Sequence, residues 1–412
     1  MNSRQRILAA IGHREPDKVP VDFGSNPASA ISAVAYNNLK KHLGITTGHT
    51  RIYDVVQQLA RPEGEILEKF GADVVDVGRA FNERDEDWYD VTLPDGSTAQ
   101  YPVWFRPVLG QGGVWEAQVK DRVTARTVFD QRYFPYIDAY PENFKDLRQA
   151  MKKVPQGAFA PSPWDHAQEP DFGRQLHDRT VRLRQNSDRA IMISCGCNLF
   201  DWGTSLRRMD NFLADIAARQ HKVEAFLDAL MEIHLATLEK VCSGVGNIAD
   251  IVWLADDLGM TSGPIVSPSV YRKLFKPRHK LMTDYVHRNS RMKTLLHSCG
   301  SIYALLPDLI KAGFDIINPV QTNCRDMDPA TLKKEFGSDI TFWGGCDVAD
   351  ILSSATAEQV RKHVIERLEV FSGGGGFVFS TTADIGPDAQ SQNVLALFEA
   401  VRDFCGATGD EF

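Results

Sequence analysis

The chain has 412 residues, a formal charge of -8 and 43% hydrophobic residues, enough to bury a large core in one domain or two. Its acidic balance, with no run of Lys or Arg longer than a pair, argues against nucleic acid or an anionic membrane as the main partner and leaves small molecules and proteins. Seven cysteines, an odd and sparse number, suit reduced thiols; no stretch has the apolar length of a signal peptide or membrane span, so a cytoplasmic protein is expected.

Eight short runs read as buried strands because they are apolar or β-branched and end at Gly, Asp, Asn or Pro. In chain order they are "KVPVDFG" (18–24), "ADVVDVG" (72–78), "AIMISCG" (190–196), "DIVWLADD" (250–257), "MKTLLHSCG" (292–300), "FDIINPV" (314–320), "ITFWGGCD" (340–347) and "FVFSTTAD" (377–384). Residues 85–185 break this rhythm. A hairpin is expected around Pro94-Asp95-Gly96, continued by "GGVWEAQVKDRVTARTVF" and followed by a Pro-rich loop, "VPQGAFAPSPWDHAQEP". The aromatics Trp88, Trp104, Phe105, Trp115 and Trp164 are read as local core ahead of a pocket wall or partner surface.

In the second half, amphipathic helices alternate with the strands. "SPSVYRKLFKPRHKLMTDYVHR" is expected to start on Ser267 as N-cap with Pro268 at the first helical position, and to kink or divide at Pro277. "SIYALLPDLIKAG" is expected to run from Ser301 to Gly313, and "ATAEQVRKHVIERLEVF" and "QSQNVLALFEAVRDF" carry apolar residues three and four apart. "SGGGGF" (372–377) precedes a strand instead of joining strand to helix, so it reads as a turn, not a dinucleotide fingerprint. Eight strands with helical crossovers predict an α/β fold, a (β/α)8 TIM barrel forming a single domain over 1–412, with a β-rich excursion inserted after the second strand at about 85–185. An open doubly wound sheet is the alternative.

Functional residues of such a barrel come from the C-terminal ends of its strands. The ends here carry Asp22, Asp76, Asn198, Asp256, Asp257, His297, Cys299, Asn318, Gln321, Cys346, Asp347 and Asp384. Residues two apart on a strand share a face, so His297 and Cys299 can address one metal ion. A catalytic zinc takes three protein ligands and keeps one open position; Cys346 is the expected third donor, with Cys324 second. The competing reading is a buried thiol beside a hydrogen-bonded histidine. Asp256 and Asp257 are candidates for general acid and base, but alternation lets only one face the site. Asn198, Asn318, Gln321, Asp347 and Asp384 are candidate substrate contacts, and the rival pair Cys195 and Cys197 in "SCGCNLF" reads as packing.

The stretches "DIVWLADDLGMTSGPIVSPSVYRKLFKPRHK", "LLHSCGSIYALLPDLIKAGFDIINPVQTN", "ITFWGGCD" and "PDAQSQNVLALFEAVRDF" resemble the uroporphyrinogen decarboxylase superfamily over about residues 250–405, with a looser likeness near the N-terminus. The resemblance implies a (β/α)8 barrel and one of two activities. Decarboxylases of the family carry an arginine-rich "RQAGR"-like stretch near the first strand, where this chain reads "GSNPASAISAVAYNNL" with no arginine. Cobalamin-linked methyltransferases of the family hold zinc with a His-x-Cys, which maps onto His297 and Cys299, and with a distant cysteine near the last strand. This chain departs there: "FVFSTTADIGPD" has no cysteine, and Cys346 lies one strand earlier.

The expected function is therefore a zinc-dependent methyltransferase working as a demethylase. It would move a methyl group from a methylated, most simply methoxylated, small molecule to the corrinoid (cobalamin) of a separate protein. A metal-free decarboxylase with His297 as general acid is the alternative, and a non-catalytic barrel that binds a corrinoid protein is a third. No nucleic acid or membrane partner is expected, and a homodimer is allowed.

Overall fold

The computed structural model describes residues 1–110, 114–119, 122–128, 132–135, 146–347 and 351–409. Seven parallel strands form one curled, TIM-barrel-like sheet: β1 (Val74–Asp76), β2 (Ala190–Gly196), β3 (Ile251–Ala255), β4 (Lys293–His297), β5 (Ile316–Asn318), β6 (Thr341–Cys346) and β7 (Phe377–Thr381), each paired with the next in chain order. The expected strand at 18–24 is reduced to one residue. Val21 bridges Ala72 beside β1 and Phe379 in β7, so this segment meets both edges of the sheet. Pro20 has no N–H to extend the ladder and offers only its carbonyl, to the Phe379 N–H at 2.9 Å.

Strand alternation divides the side chains into two populations. Val74, Met192, Ile251, Trp253, Leu295, Ile316, Trp343 and Val378 pack together inside the curl, and Ile7, Ala10 and Ile11 of the N-terminal helix region complete that cluster. The helix Ser3–Ala10 thus plugs the end where the strands begin, and Arg6 holds it there through Asp73 and Asp17. The other strand faces, including Val75, Ile191, Leu254, Leu296, Phe342 and Cys346, join a larger cluster with the surrounding helices. Continuing the interior rows towards the strand C-termini brings Asp76, Ser194, Asp257, His297 and Asn318 to the opposite, open end.

Between β1 and β2 the chain forms the hairpin Trp88–Thr92 with Thr98–Pro102, Gly96 taking φ 83° in its turn, and a four-stranded antiparallel sheet through Arg132–Pro135. The Pro-rich stretch expected as loop contains a short helix, Pro155–Ala158, and a 3-10 turn, Trp164–His166, because each proline can open a helical turn without losing an N–H bond. Parts of the 85–185 region lie outside the described residues. The segment after Ser267 starts as the sequence suggests, the Ser267 side chain accepting from the Val270 N–H. Pro277 is absorbed by a π turn at Tyr271–Phe275 just before the helix Lys276–Asn289, which spares the helix a sharp break. Helical structure after Gly300 begins at Tyr303, not Ser301, and ends on Gly313 at φ 97°. Among the described residues no helix is long and apolar enough to cross a membrane.

Asp315, at the start of β5, ties two strands together. It accepts from the Thr294 N–H at 2.9 Å and from Lys293 and His287 at 2.7 Å. Burial acts to raise its pKa, but the His287 and Lys293 contacts and the Thr294 amide outweigh it and hold the carboxyl down at about 2. A depressed carboxyl stabilises the fold above the unfolded value near 3.9 and loses that contribution as pH falls towards the folded one. Asp315→Asn is therefore expected to cost about 2 kcal/mol at pH 7 in urea unfolding, with the gap to wild type closing between about pH 4 and pH 2. An unchanged gap at the acid end would count against this assignment.

Candidate metal centre and the adjoining cleft

Three potential ligands meet at the open end: an Asp257 carboxylate oxygen, a His297 ring nitrogen and Cys299 Sγ all lie within 4.8 Å of one another. His297 Nε2 is 3.4 Å from Cys299 Sγ and 3.8 Å from Asp257 Oδ1. Tetrahedral zinc with bonds of about 2.0–2.3 Å separates its ligands by about 3.3–3.7 Å, so this set needs little movement to close on an ion. Two glycines allow the approach. A Cβ on Gly300, at φ 80°, would sit 2.4 Å from the Gly259 backbone, and one on Gly259 would sit 2.6 Å from the Cys299 carbonyl. The loops after β3 and β4 are pressed backbone to backbone, and the Cys299 N–H donates to Asp257 Oδ1 at 2.8 Å.

His297 is oriented from behind. Its Nδ1 is 2.7 Å from Asn318 Oδ1, while Asn318 Nδ2 donates to the Trp343 carbonyl at 3.0 Å. Because the Asn318 amide spends its N–H on a carbonyl, its oxygen faces the imidazole, which puts the histidine proton on Nδ1 and leaves the Nε2 lone pair towards Cys299 and Asp257. Trp253 lies against the ring, centroids 5.3 Å apart. Burial, and then the Asp257 charge, push the Cys299 thiol well above its usual range. A bound dication reverses that sign by favouring the thiolate.

The candidate residues from the sequence divide into those at this group and those in its support. Cys346, expected as third ligand, is not in it: the residue is fully buried in the cluster facing the helices, three positions from the interior Trp343 and so on the opposite side of the strand. Asp257 stands in its place. Cys324 is near enough for its charge to act on Cys299, although it too lies outside the three-donor group. Asp256, expected to share acid-base work, is sealed from solvent. Its Oδ1 accepts from the Phe200 and Asp201 N–H groups at 2.7 and 3.1 Å, anchoring the start of the helix Phe200–Arg207, and its Oδ2 is 3.2 Å from His279 Nε2. Asp201, which the sequence reading passed over, sits against Asp257, whose N–H points at its carboxylate. Burial, Asp256 and Asp257 push its pKa well above the carboxylate range.

The expected substrate contacts are engaged with protein partners. Asn198 donates to Asp201 Oδ2 at 2.6 Å, Gln321 accepts from the Gly300 N–H, and Asp347 accepts from the Thr322 and Thr382 hydroxyls. Asp384 is half-buried, and its charge acts on Tyr53. Cys195 and Cys197 are both pushed up by burial, Cys197 to about 12, so neither is poised as a thiolate.

Beyond β1 the same open end continues into a narrow cleft whose walls include Tyr53, Arg61, Asp76, Arg79, Trp88 and Trp104. Asp76 accepts from the Ser194 hydroxyl at 3.2 Å, which links the cleft to β2, and burial raises its pKa to about 7. Burial, then the neighbouring Arg79 and Arg51 charges, bring Arg61 down to about 9. Burial likewise lowers Arg79. Neither arginine was singled out in the sequence. Arg79 was accessible to the strand-end rule, lying three residues past Asp76, whereas Arg61 lies in an irregular segment with no periodic signal.

Residues 200–404 match the family model described as uroporphyrinogen decarboxylase (URO-D). This part of the chain is a URO-D domain. The chain has relatives of both activities in that family. A methylated-thiol–coenzyme M methyltransferase of Methanosarcina mazei is 26% identical over 167 residues, 39% of this chain and 41% of that one. A uroporphyrinogen decarboxylase of Coxiella burnetii is 25% identical over 195 residues, 47% of this chain and 51% of that one. The chain thus spans about half or less of the curated relatives it matches. In structure, a methyltransferase from Methanosarcina mazei superposes with a TM-score of 0.60 at 18% identity, covering 98% of this chain and 99% of that one, which shows a shared fold. The URO-D domain contains all three clustered donors.

Asn318 makes no contact that a metal ion would replace, so it tests the site indirectly. Asn318→Ala frees the His297 ring and is expected to weaken zinc affinity by about 10- to 100-fold, measured by competition with a chromogenic chelator. Affinity equal to wild type would show that His297 is not oriented through this bond.

Proposed function

We propose that the chain is a zinc-dependent methyltransferase that moves a methyl group from a methoxylated small molecule to the cobalt of a corrinoid held by a separate protein. The observation that carries the reading is the Asp257–His297–Cys299 group at the open end of the sheet. Its donor types suit zinc, and one imidazole, one thiolate and one carboxylate would bring a dication to a net charge near zero. A relative whose name describes methyl transfer from methylated thiols supports the same class of chemistry.

His297 Nε2, Cys299 Sγ and a carboxylate oxygen of Asp257 would hold the ion and leave a fourth position towards the mouth. When bound, zinc supplies Lewis acidity to the heteroatom that loses the methyl group. The rest is done by the chain. Asn318 keeps the imidazole in the tautomer that can ligate, and the Cys299 N–H and Asp201 fix the Asp257 carboxylate and backbone. Asp257 acts here as a ligand instead of a free base, and Asp256 acts by anchoring the helix that carries Asp201. Asn198, Gln321 and Asp347 shape the loops around the donor, and Asp384 belongs to the Tyr53 side of its pocket. We read residues 1–412 as one barrel domain in which the insertion at about 85–185 walls the donor pocket through Trp88 and Trp104. The methyl acceptor approaches from the same open end, since methyl transfer requires donor and acceptor atoms in line and in contact.

Protein purified under reducing conditions is expected to contain close to one zinc per chain by mass spectrometry. Cys299→Ala should lose the metal together with methyl transfer to a corrinoid protein, whereas Cys346→Ala should keep both. Metal-free wild type with full activity, or activity indifferent to chelators, would favour the decarboxylase alternative and overturn this reading.

A further inference from the structure

Arg61 and Arg79 are the unusual charges of this molecule. Several other guanidiniums withdrawn from solvent are paired with carboxylates: Arg6 with Asp73 and Asp17, Arg184 with Asp250, and Arg278 with Asp228. Among the described residues, neither Arg61 nor Arg79 has a carboxylate in such contact. Arg61 donates to the Phe81 and Asn82 carbonyls at 3.0 and 3.2 Å, and Arg79 to the Pro62 carbonyl at 2.7 Å. A guanidinium has five N–H donors, so both retain unspent ones. Holding two like charges together away from water is costly unless an anion joins them.

Two more groups in the cleft lack partners. The Tyr53 hydroxyl is sealed from solvent with no hydrogen-bond partner, and so is Asp165 Oδ1, whose sister oxygen accepts from Asn82, Ser162 and Trp104. The walls are aromatic. Trp88 carries Arg61 on its face, 5.2 Å from guanidinium carbon to ring centroid, and Trp104 remains 38% exposed at the edge of the cleft. A narrow space bounded by indole and phenol rings selects flat groups. Asp76 and Asp165 stand in the same cleft, so a ligand with two or more negative charges would be repelled where a single one is welcome.

We propose that this cleft binds a flat aromatic monocarboxylate, its carboxylate received by Arg61, Arg79 and the Tyr53 hydroxyl and a ring hydroxyl or ether end reaching past Asp165. In calling that ligand the methyl donor, the inference rests on the function proposed above; the anion site itself does not. The cleft opens beside Asp76 of β1, three strands along the same rim from His297 of β4.

The test titrates the full-length protein with 4-hydroxybenzoate and with 4-hydroxybenzamide, following tryptophan fluorescence and the heat of binding, in wild type, Arg61→Gln, Arg79→Gln, Tyr53→Phe and Cys299→Ala. The acid is expected to bind saturably and at least about tenfold tighter than the amide, to lose about tenfold in each Arg→Gln variant, and to bind Cys299→Ala as it binds wild type. Should the Arg→Gln proteins fail to fold by circular dichroism, the acid-to-amide ratio in wild type and its persistence in Arg61→Lys decide. Equal binding of acid and amide, undiminished acid binding in folded Arg→Gln proteins, displacement by equimolar inorganic phosphate, or no binding of the acid at millimolar concentration would each overturn the proposal. Acid binding that persists in a protein found to lack zinc and methyl transfer would overturn the proposed function and leave the anion site standing.

Discussion

Period-two alternation around the curled sheet is the constraint on which the rest of this structure depends. Each parallel strand sends one row of side chains to the centre and the next to the helices, so a single choice of register decides which polar residues at the strand ends face the mouth. With Leu295, Ile316 and Trp253 packed inside, His297, Asn318 and Asp257 must follow on the same side, while Leu254 and Phe342 commit Asp256 and Cys346 to the outer one. The helix Ser3–Ala10 closes the other end and makes the centre dry.

On that frame the open end carries opposite charges in separate places. Around β3 and the helix after β2, three carboxylates, Asp201, Asp256 and Asp257, crowd together: helix N–H groups donate to Asp256, whose other oxygen is 3.2 Å from His279 Nε2, and burial with the two neighbouring charges pushes Asp201 well above the carboxylate range. Beyond β1, two guanidiniums stand without carboxylate contacts in an aromatic cleft. The rim thus holds its clustered carboxylates near β3 and its two carboxylate-free guanidiniums beyond β1, on separate parts of the mouth.

The strands were the most readable feature because burial on both faces makes each an apolar run, and seven of the eight expected runs became paired strands. The eighth shrank to a bridge at Val21 because Pro20 cannot donate to the ladder. The helix start was readable where a cap does the work, as at Ser267, and misread at Ser301, where a 3-10 turn begins two residues later without a side-chain cap. His297 and Cys299 were legible through their spacing; their common partner was not. Cys346 is a soft donor at a strand end, but alternation from the interior Trp343 puts it on the helix-facing side of β6, in the outer core.

What the amino-acid order determined by itself was local: periodicity, caps, turns and the pair of donors two residues apart on one strand, each set by chain geometry over a few residues. What only the tertiary structure decided was proximity between strands. That Asp257 and not Cys346 completes the donor group follows from Gly259 and Gly300 letting two loops touch, and that Arg61 and Arg79 share a cleft with Tyr53 follows from a segment before β1 folding over its end. Such meetings depend on packing across the whole sheet, and no window of sequence contains them.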